Sequence, residues 1–131
     1  MRIRTGIDIL DLRRFKKSLE RRGKDFLLTF LAEAEITNAK NKPESLAGLF
    51  AAKEAVAKAI GSGIWQADVK WHDIFIAKDE LGKPHVDLSG EAFVRYDKMC
   101  GVDIDISISH EENYVVAVCV ILTDSKKNNY E

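Results

Sequence analysis

The sequence predicts an α+β fold: a small antiparallel sheet packed on one long helix. Three observations lead there. Residues 43–60 hold six alanines and, ahead of Ile60, a single β-branched residue, so a long helix is expected. The stretch Val102-Asp103-Ile104-Asp105-Ile106-Ser107-Ile108-Ser109-His110 alternates strictly, which is the period of a strand with one buried face. Tyr114 to Leu122 returns after a short turn and is nearly all apolar, the pattern of a strand covered on both faces.

Length and composition support one domain, placed at residues 1–122, followed by a polar tail at 123–131. At 131 residues, with 46% apolar and 31% charged content, one core is feasible. No apolar run is long enough to span a membrane. The opening Met-Arg-Ile-Arg-Thr-Gly-Ile-Asp has no apolar stretch before its first acid, so no signal peptide is predicted and the cytoplasm is the expected compartment. Cys100 and Cys119 lack metal-ligand spacing, and Cys119 reads as a reduced core residue. Net charge is −1, yet residues 1–42 carry eleven Lys/Arg against six Asp/Glu, and the remainder carries nine against fifteen. That asymmetry points to a charged protein partner. A slightly acidic chain without aromatic residues between its basic ones argues against nucleic acid.

Taken in order, Ile3 to Leu10 reads as a strand, with Gly6 marking a bulge or a close approach of another group. Asp11 can cap a basic helix that runs to Arg22 and stops at Gly23. Leu12, Phe15 and Leu19 form its apolar stripe. Asp25 to Asn41 reads as further helix, with Phe26, Leu27, Leu28, Phe30 and Leu31 buried. Pro43 opens the long helix and Gly61 closes it. Trp71 to Ala77, the turn Lys78 to Pro84, and His85 to Leu88 give a hairpin. Ser89 can cap a helix from Gly90 to about Cys100, and the tail from Thr123 is expected to fray.

Several residues invite a functional reading beside an ordinary one. Asp8 lies between two isoleucines; by strand period it takes the face opposite to Ile7 and Ile9, and the ordinary reading puts it in water. Glu54 and Lys58 are one turn apart, which by itself describes an exposed pair worth about 0.3–0.5 kcal/mol. The alternative is a metal carboxylate and a phosphate-binding ammonium, on a helix that its alanines keep thin. Gly61-Ser62-Gly63 offers backbone N–H groups to a phosphate, although it equally ends a helix. His110 at a strand end has the same two readings, surface residue or ligand contact. Arg13, Arg14, Lys16, Lys17, Arg21 and Arg22 cover the first helix with few acids nearby, which favours docking of an acidic protein helix over a merely solvated face.

Four blocks together resemble the holo-acyl-carrier-protein synthases, the small class of 4′-phosphopantetheinyl transferases. They are Gly6-Ile7-Asp8-Ile9, Leu46-Ala47-Gly48 through Phe50-Ala51-Ala52-Lys53-Glu54-Ala55 to Lys58-Ala59-Ile60-Gly61-Ser62-Gly63, Gly82-Lys83-Pro84, and Ser107-Ile108-Ser109-His110. The resemblance runs from Gly6 to about Ile121, and the second block is highly specific. It implies transfer of the 4′-phosphopantetheine arm of coenzyme A to a serine of an apo acyl carrier protein, with release of 3′,5′-ADP. It implies Mg²⁺ on Asp8 and Glu54, and a phosphate contact from Lys58; the proton acceptor is left open between a metal-bound water and a carboxylate, with Glu54 the choice, making Glu54 and Lys58 the catalytic candidates. Gly61, Ser62, Gly63, Lys83, Pro84 and His110 match coenzyme A positions. Arg14 matches a carrier-docking position, and the charge pattern extends this to Arg13, Arg21 and Arg22. It also implies a homotrimer, with the carboxylates of one chain and coenzyme A contacts of its neighbour in each site. The family commonly has arginine before the phenylalanine of the long helix, where this chain has Leu49, and the segment Trp65 to Trp71 fits loosely. The carrier's pathway, fatty-acid or secondary metabolism, stays open. The competing readings are a non-catalytic coenzyme A or carrier-binding module, which would not need Asp8 and Glu54, and a Mg²⁺-dependent nucleotide hydrolase, which would not need the basic helix.

Overall fold

A computed structural model describes residues 1–61, 63–64 and 68–130, with side chains described through residue 127. The chain runs β1 (Arg2–Asp11), α1 (Leu12–Arg22), α2 (Lys24–Phe30), α3 (Glu33–Asn38), α4 (Pro43–Ile60), β2 (Ile74–Lys78), β3 (Pro84–Leu88), α5 (Gly90–Lys98), β4 (Gly101–His110) and β5 (Tyr114–Thr123). Strands β1, β5 and β4 form a three-stranded antiparallel sheet in that order, while β2 and β3 form a separate hairpin. The α+β architecture is the expected one. Among the described residues no helix is long and apolar enough to cross a membrane.

Helix α4 is the axis of the molecule. Pro43 sits in its first turn and Gly61 ends it at φ 90°, in the left-handed region that glycine adopts without strain. A helix apolar on most sides has to be buried, and Lys58 is the one exposed residue between Pro43 and Ile60. One side lies on the sheet, against Ile106, Val115, Ala117, Cys119 and Ile121. Phe50 joins an aromatic cluster with Phe30 and Trp71, at ring-centroid distances of 4.8 and 5.0 Å. Each fully buried Leu or Val is worth about 1.5–3 kcal/mol, so Leu46 and Val56 anchor the helix at both halves.

Several expectations change. The helix read over Asp25 to Asn41 is two short helices, broken at Leu31 and Ala32, whose backbones are extended. Leu28, read as buried, is exposed. Trp71–Asp73 is a 3₁₀ turn, and the strand begins only at Ile74. Ser89 takes the N-cap position of α5 without a side-chain capping bond; its hydroxyl turns to the carbonyl of Asp73 at 3.4 Å. The tail does not begin at Thr123, which is buried in β5 and bonds the carbonyl of Arg2. Ser125–Tyr130 forms a 3₁₀ helix, and Lys127 donates to the carbonyl of Gly101 at 2.5 Å.

The largest change concerns the sheet's two faces. Strand β5 is covered on one face only. Its outward-facing side chains Val116, Val118, Val120 and Leu122 stand opposite Ile9, Ile7, Thr5 and Ile3 of β1. Ile3, Ile7 and Ile9 are 66%, 60% and 67% exposed, so an apolar patch covers the side of the sheet away from α4. The isoleucines of β1 look outward and Asp8 looks toward the helix, which goes against the ordinary reading that put Asp8 in water.

Candidate active site

Gly6 decides how closely β1 approaches α4. A β-carbon there would lie 2.6 Å from the backbone nitrogen of Ala59 and closer still to the carbonyl oxygen of Ala55. Only glycine fits, and the alanines opposite keep the helix surface low. Two residues on, and on the same face, Asp8 therefore reaches the helix. Its carboxylate accepts a hydrogen bond from the Lys58 ammonium at 3.1 Å, and the same ammonium donates to the carbonyl of Ile7 at 2.9 Å. Asp8 is largely covered, with 15% of its side chain exposed, against 50% for Lys58.

Glu54 completes the group from one turn back. Its carboxylate accepts no hydrogen bond from the described residues. Burial pushes its pKa above the ordinary 4.5, the negative charge of Asp8 pushes it further, and Lys58 opposes both. The ammonium is bonded to Asp8 alone while Glu54 feels the charges of both, and these surroundings resist a second negative charge. Hard oxygen donors with a surplus negative charge fit a divalent cation such as Mg²⁺, which uses one or two carboxylates and completes its shell from phosphate and water. Among the described residues no cluster of three or more His, Cys, Asp or Glu could hold a metal on its own.

The other site candidates do not converge on this point within one chain. Gly61 and Gly63 follow α4's C-terminus; Ser62 lies outside the described residues, as do Trp65, Gln66 and Ala67. His110 lies at the opposite end of that helix, where it lines a cleft of about 660 Å³ with Leu12, Lys16, Lys42, Glu44 and Ser45. At about 1.5 Å per residue, α4 separates these two groups by roughly 27 Å. Lys83 and Pro84 sit at the β2–β3 turn, and the Lys83 ammonium bonds Asp105 at 3.1 Å, on the apolar patch's side of the sheet. Leu49 is buried and borders Glu35, Ser45 and Ile76, so it belongs to the core.

Helix α1 carries the docking candidates on its outside. Asp11 caps it by accepting from the backbone N–H groups of Arg13 and Arg14, and also pairs with the Arg13 side chain at 3.5 Å. Arg14 and Arg21 are exposed and form no ion pair among the described residues. Arg22 stands over the Phe26 ring, 5.3 Å from its centroid. Lys16 reaches Glu44 at 3.7 Å, which ties the basic helix to the cleft.

Sequence reading missed the pair beside Glu54. Lys53 is wholly buried and donates to Glu35 at 2.8 Å, to the carbonyl of Phe30 at 2.8 Å and to that of Trp71 at 3.3 Å. Glu35 also accepts from the backbone N–H groups of Ala32 and Ile76. Four segments are thereby tied to the turn of α4 that carries Glu54. The one hint in sequence was a lysine set among Phe50, Ala51, Ala52, Ala55 and Val56.

Comparison with known proteins gives one answer. The family model of the 4′-phosphopantetheinyl transferase superfamily matches residues 4–119. A holo-[acyl-carrier-protein] synthase from Sulfurovum sp. is 44% identical over 119 residues, covering 91% of this chain and 96% of its own. The crystal structure of the Helicobacter pylori holo-[acyl-carrier-protein] synthase, in complex with coenzyme A, superposes with a TM-score of 0.81 at 36% identity, over 90% of this chain and 99% of that one. The Bacillus anthracis enzyme, in complex with CoA (3′,5′-ADP), gives 0.74 at 34% identity, over 92% and 96%. With its carboxylate pair, its basic helix and these relatives over nearly its whole length, the chain belongs to the 4′-phosphopantetheinyl transferase superfamily, among the holo-[acyl-carrier-protein] synthases.

Proposed function

We propose that this enzyme transfers the 4′-phosphopantetheine group of coenzyme A to a serine hydroxyl of an apo acyl carrier protein and releases 3′,5′-ADP. The observation that carries the reading is the meeting of Asp8, Glu54 and Lys58 where Gly6 brings β1 onto α4. Asp8 and Glu54 would hold Mg²⁺, which supplies Lewis-acid stabilisation of the pyrophosphate. The serine oxygen bonds to the pantetheine-side phosphorus, the bond from that phosphorus to the bridging oxygen breaks, and 3′,5′-ADP leaves with the electron pair. Lys58 faces the negative charge that develops on the leaving phosphate. Glu54 takes the serine proton. The coenzyme A and 3′,5′-ADP bound to the relatives support the choice of donor.

The carrier docks on α1 through Arg13, Arg14, Arg21 and Arg22, where an acidic helix meets exposed guanidinium groups. Three copies assemble through the apolar outer face of the sheet, a contiguous patch that a stable monomer would not expose. Each site then combines Asp8, Glu54, Lys58 and the Gly61–Gly63 loop of one chain with His110 and its cleft from the next. Lys83 and Pro84, beside the same patch, line the coenzyme path.

The test is the intact mass of an apo acyl carrier protein incubated with the enzyme, coenzyme A and Mg²⁺. A gain of one phosphopantetheine is expected, and is lost with EDTA or with Glu54→Ala. A carrier mass that stays unchanged across several carriers while coenzyme A still binds would leave a binding module instead.

A further inference from the structure

The Asp8 carboxylate already has a cation on it. The Lys58 ammonium bonds Asp8 Oδ1 and the carbonyl of Ile7, so one oxygen of the carboxylate already faces a positive charge. The two demands differ in strength. A half-exposed lysine pair is a weak contact in water, and its four-carbon stem lets the ammonium move several ångströms without disturbing the backbone. Neighbouring positive charges also repel, so an ammonium on Asp8 weakens the hold of that carboxylate on a divalent cation. Asp8 and Glu54 together carry two negative charges when ionised, and Lys58 offsets one.

We infer that Lys58 is an exchangeable counter-ion: it holds Asp8 until a divalent cation takes that carboxylate, and the displaced ammonium then binds the pyrophosphate of the coenzyme. The inference rests on the reading of Asp8 and Glu54 as cation ligands. It gives Lys58 two positions in one cycle. It also makes cation and coenzyme binding cooperative. Each ligand alone has to work against the Lys58–Asp8 pair, and the first to bind spares the second that cost. By linkage, the cation must tighten coenzyme A by the same factor as coenzyme A tightens the cation.

The test is binding of Mn²⁺, a paramagnetic stand-in for Mg²⁺, measured by electron paramagnetic resonance on the full-length chain, first without coenzyme A and then with it. Wild type, Lys58→Met and Asp8→Asn are compared after thermal melts establish that each is folded. Without coenzyme A, Lys58→Met is expected to bind Mn²⁺ about threefold or more tightly than wild type, within the range that an exposed ion pair allows. Adding coenzyme A tightens Mn²⁺ in wild type, and that tightening shrinks in Lys58→Met. Equal or weaker Mn²⁺ binding by Lys58→Met, with Asp8→Asn still losing it, would overturn the exchange and leave the cation site standing. Equal binding by all three proteins would remove the cation site and the exchange together.

Discussion

Lys53 and Lys58 lie five residues apart on α4, and each pairs with a carboxylate, yet the two pairs do opposite work. An ammonium has three N–H donors. Lys53 uses all three, on Glu35 and on the carbonyls of Phe30 and Trp71, with both side chains fully buried. Burial pulls its pKa down and Glu35 restores part of the loss. Nothing remains for a ligand. Lys58 uses two donors, on Asp8 and Ile7, keeps half its side chain in water, and has one donor left over. The charges are the same and the closure differs. A pair that satisfies every donor becomes architecture, and a pair left open at one donor stays available for chemistry.

The comparison is tested hardest at Lys53. Lys53→Met leaves the Glu35 carboxylate buried without its counter-charge and is expected to cost about 3–5 kcal/mol in urea unfolding. Combining it with Glu35→Gln should recover much of that, because no uncompensated charge then remains inside. Lys58→Met should cost less than about 1 kcal/mol in the same titration. Equal losses at the two lysines would erase the distinction. Next in size is Gly6→Ala, whose β-carbon meets the backbone at Ala55 and Ala59. Forcing β1 from α4 should cost about 1–3 kcal/mol, and carrier modification should fall with it because Asp8 moves away from Glu54. Full transfer by a Gly6→Ala variant would show that the close approach does not set the site.

The smallest effect sharpens the electrostatics. The folded-state pKa of Glu54 is raised, so its ionisation costs the fold stability above that pKa, and the cost disappears as the pH falls through it. Glu54→Gln should therefore be more stable than wild type at pH 8, by less than about 1 kcal/mol after solvent screening. The gap should close toward pH 4.5. A gap that widens on acidification would reverse the sign of the shift.

How much of this was legible depended on whether a feature was local. Helix α4 was legible from Pro43 to Ile60, because its alanines, its opening proline and its closing Gly61 act within the segment. The same holds for the Asp11 cap of α1 and for the β4 strand. The period of β1 was equally clear, but which face meets water is a tertiary fact. Gly6 settles it, since the face that carries a glycine is the one that can touch a helix. Glu35 was illegible for a similar reason. Its partners at residues 32, 53 and 76 come from separate elements, and no local pattern links them. The meeting of Asp8 with Glu54 and Lys58 was reached only through the family motifs, whereas the separation of His110 from the Gly61–Gly63 loop needed the helix between them to be seen whole.

Under the proposed assembly of copies, that separation makes the enzyme divisible. If opposite ends of α4 serve different sites, a chain damaged at one end keeps a sound half to lend to a neighbour. Asp8→Ala protein alone and His110→Ala protein alone would each be inert. Dissociated together and allowed to reassociate, they would form mixed rings in which about a quarter of the junctions join two intact halves. Activity would then arise from two dead proteins. Halves confined to one chain would stay dead in any mixture.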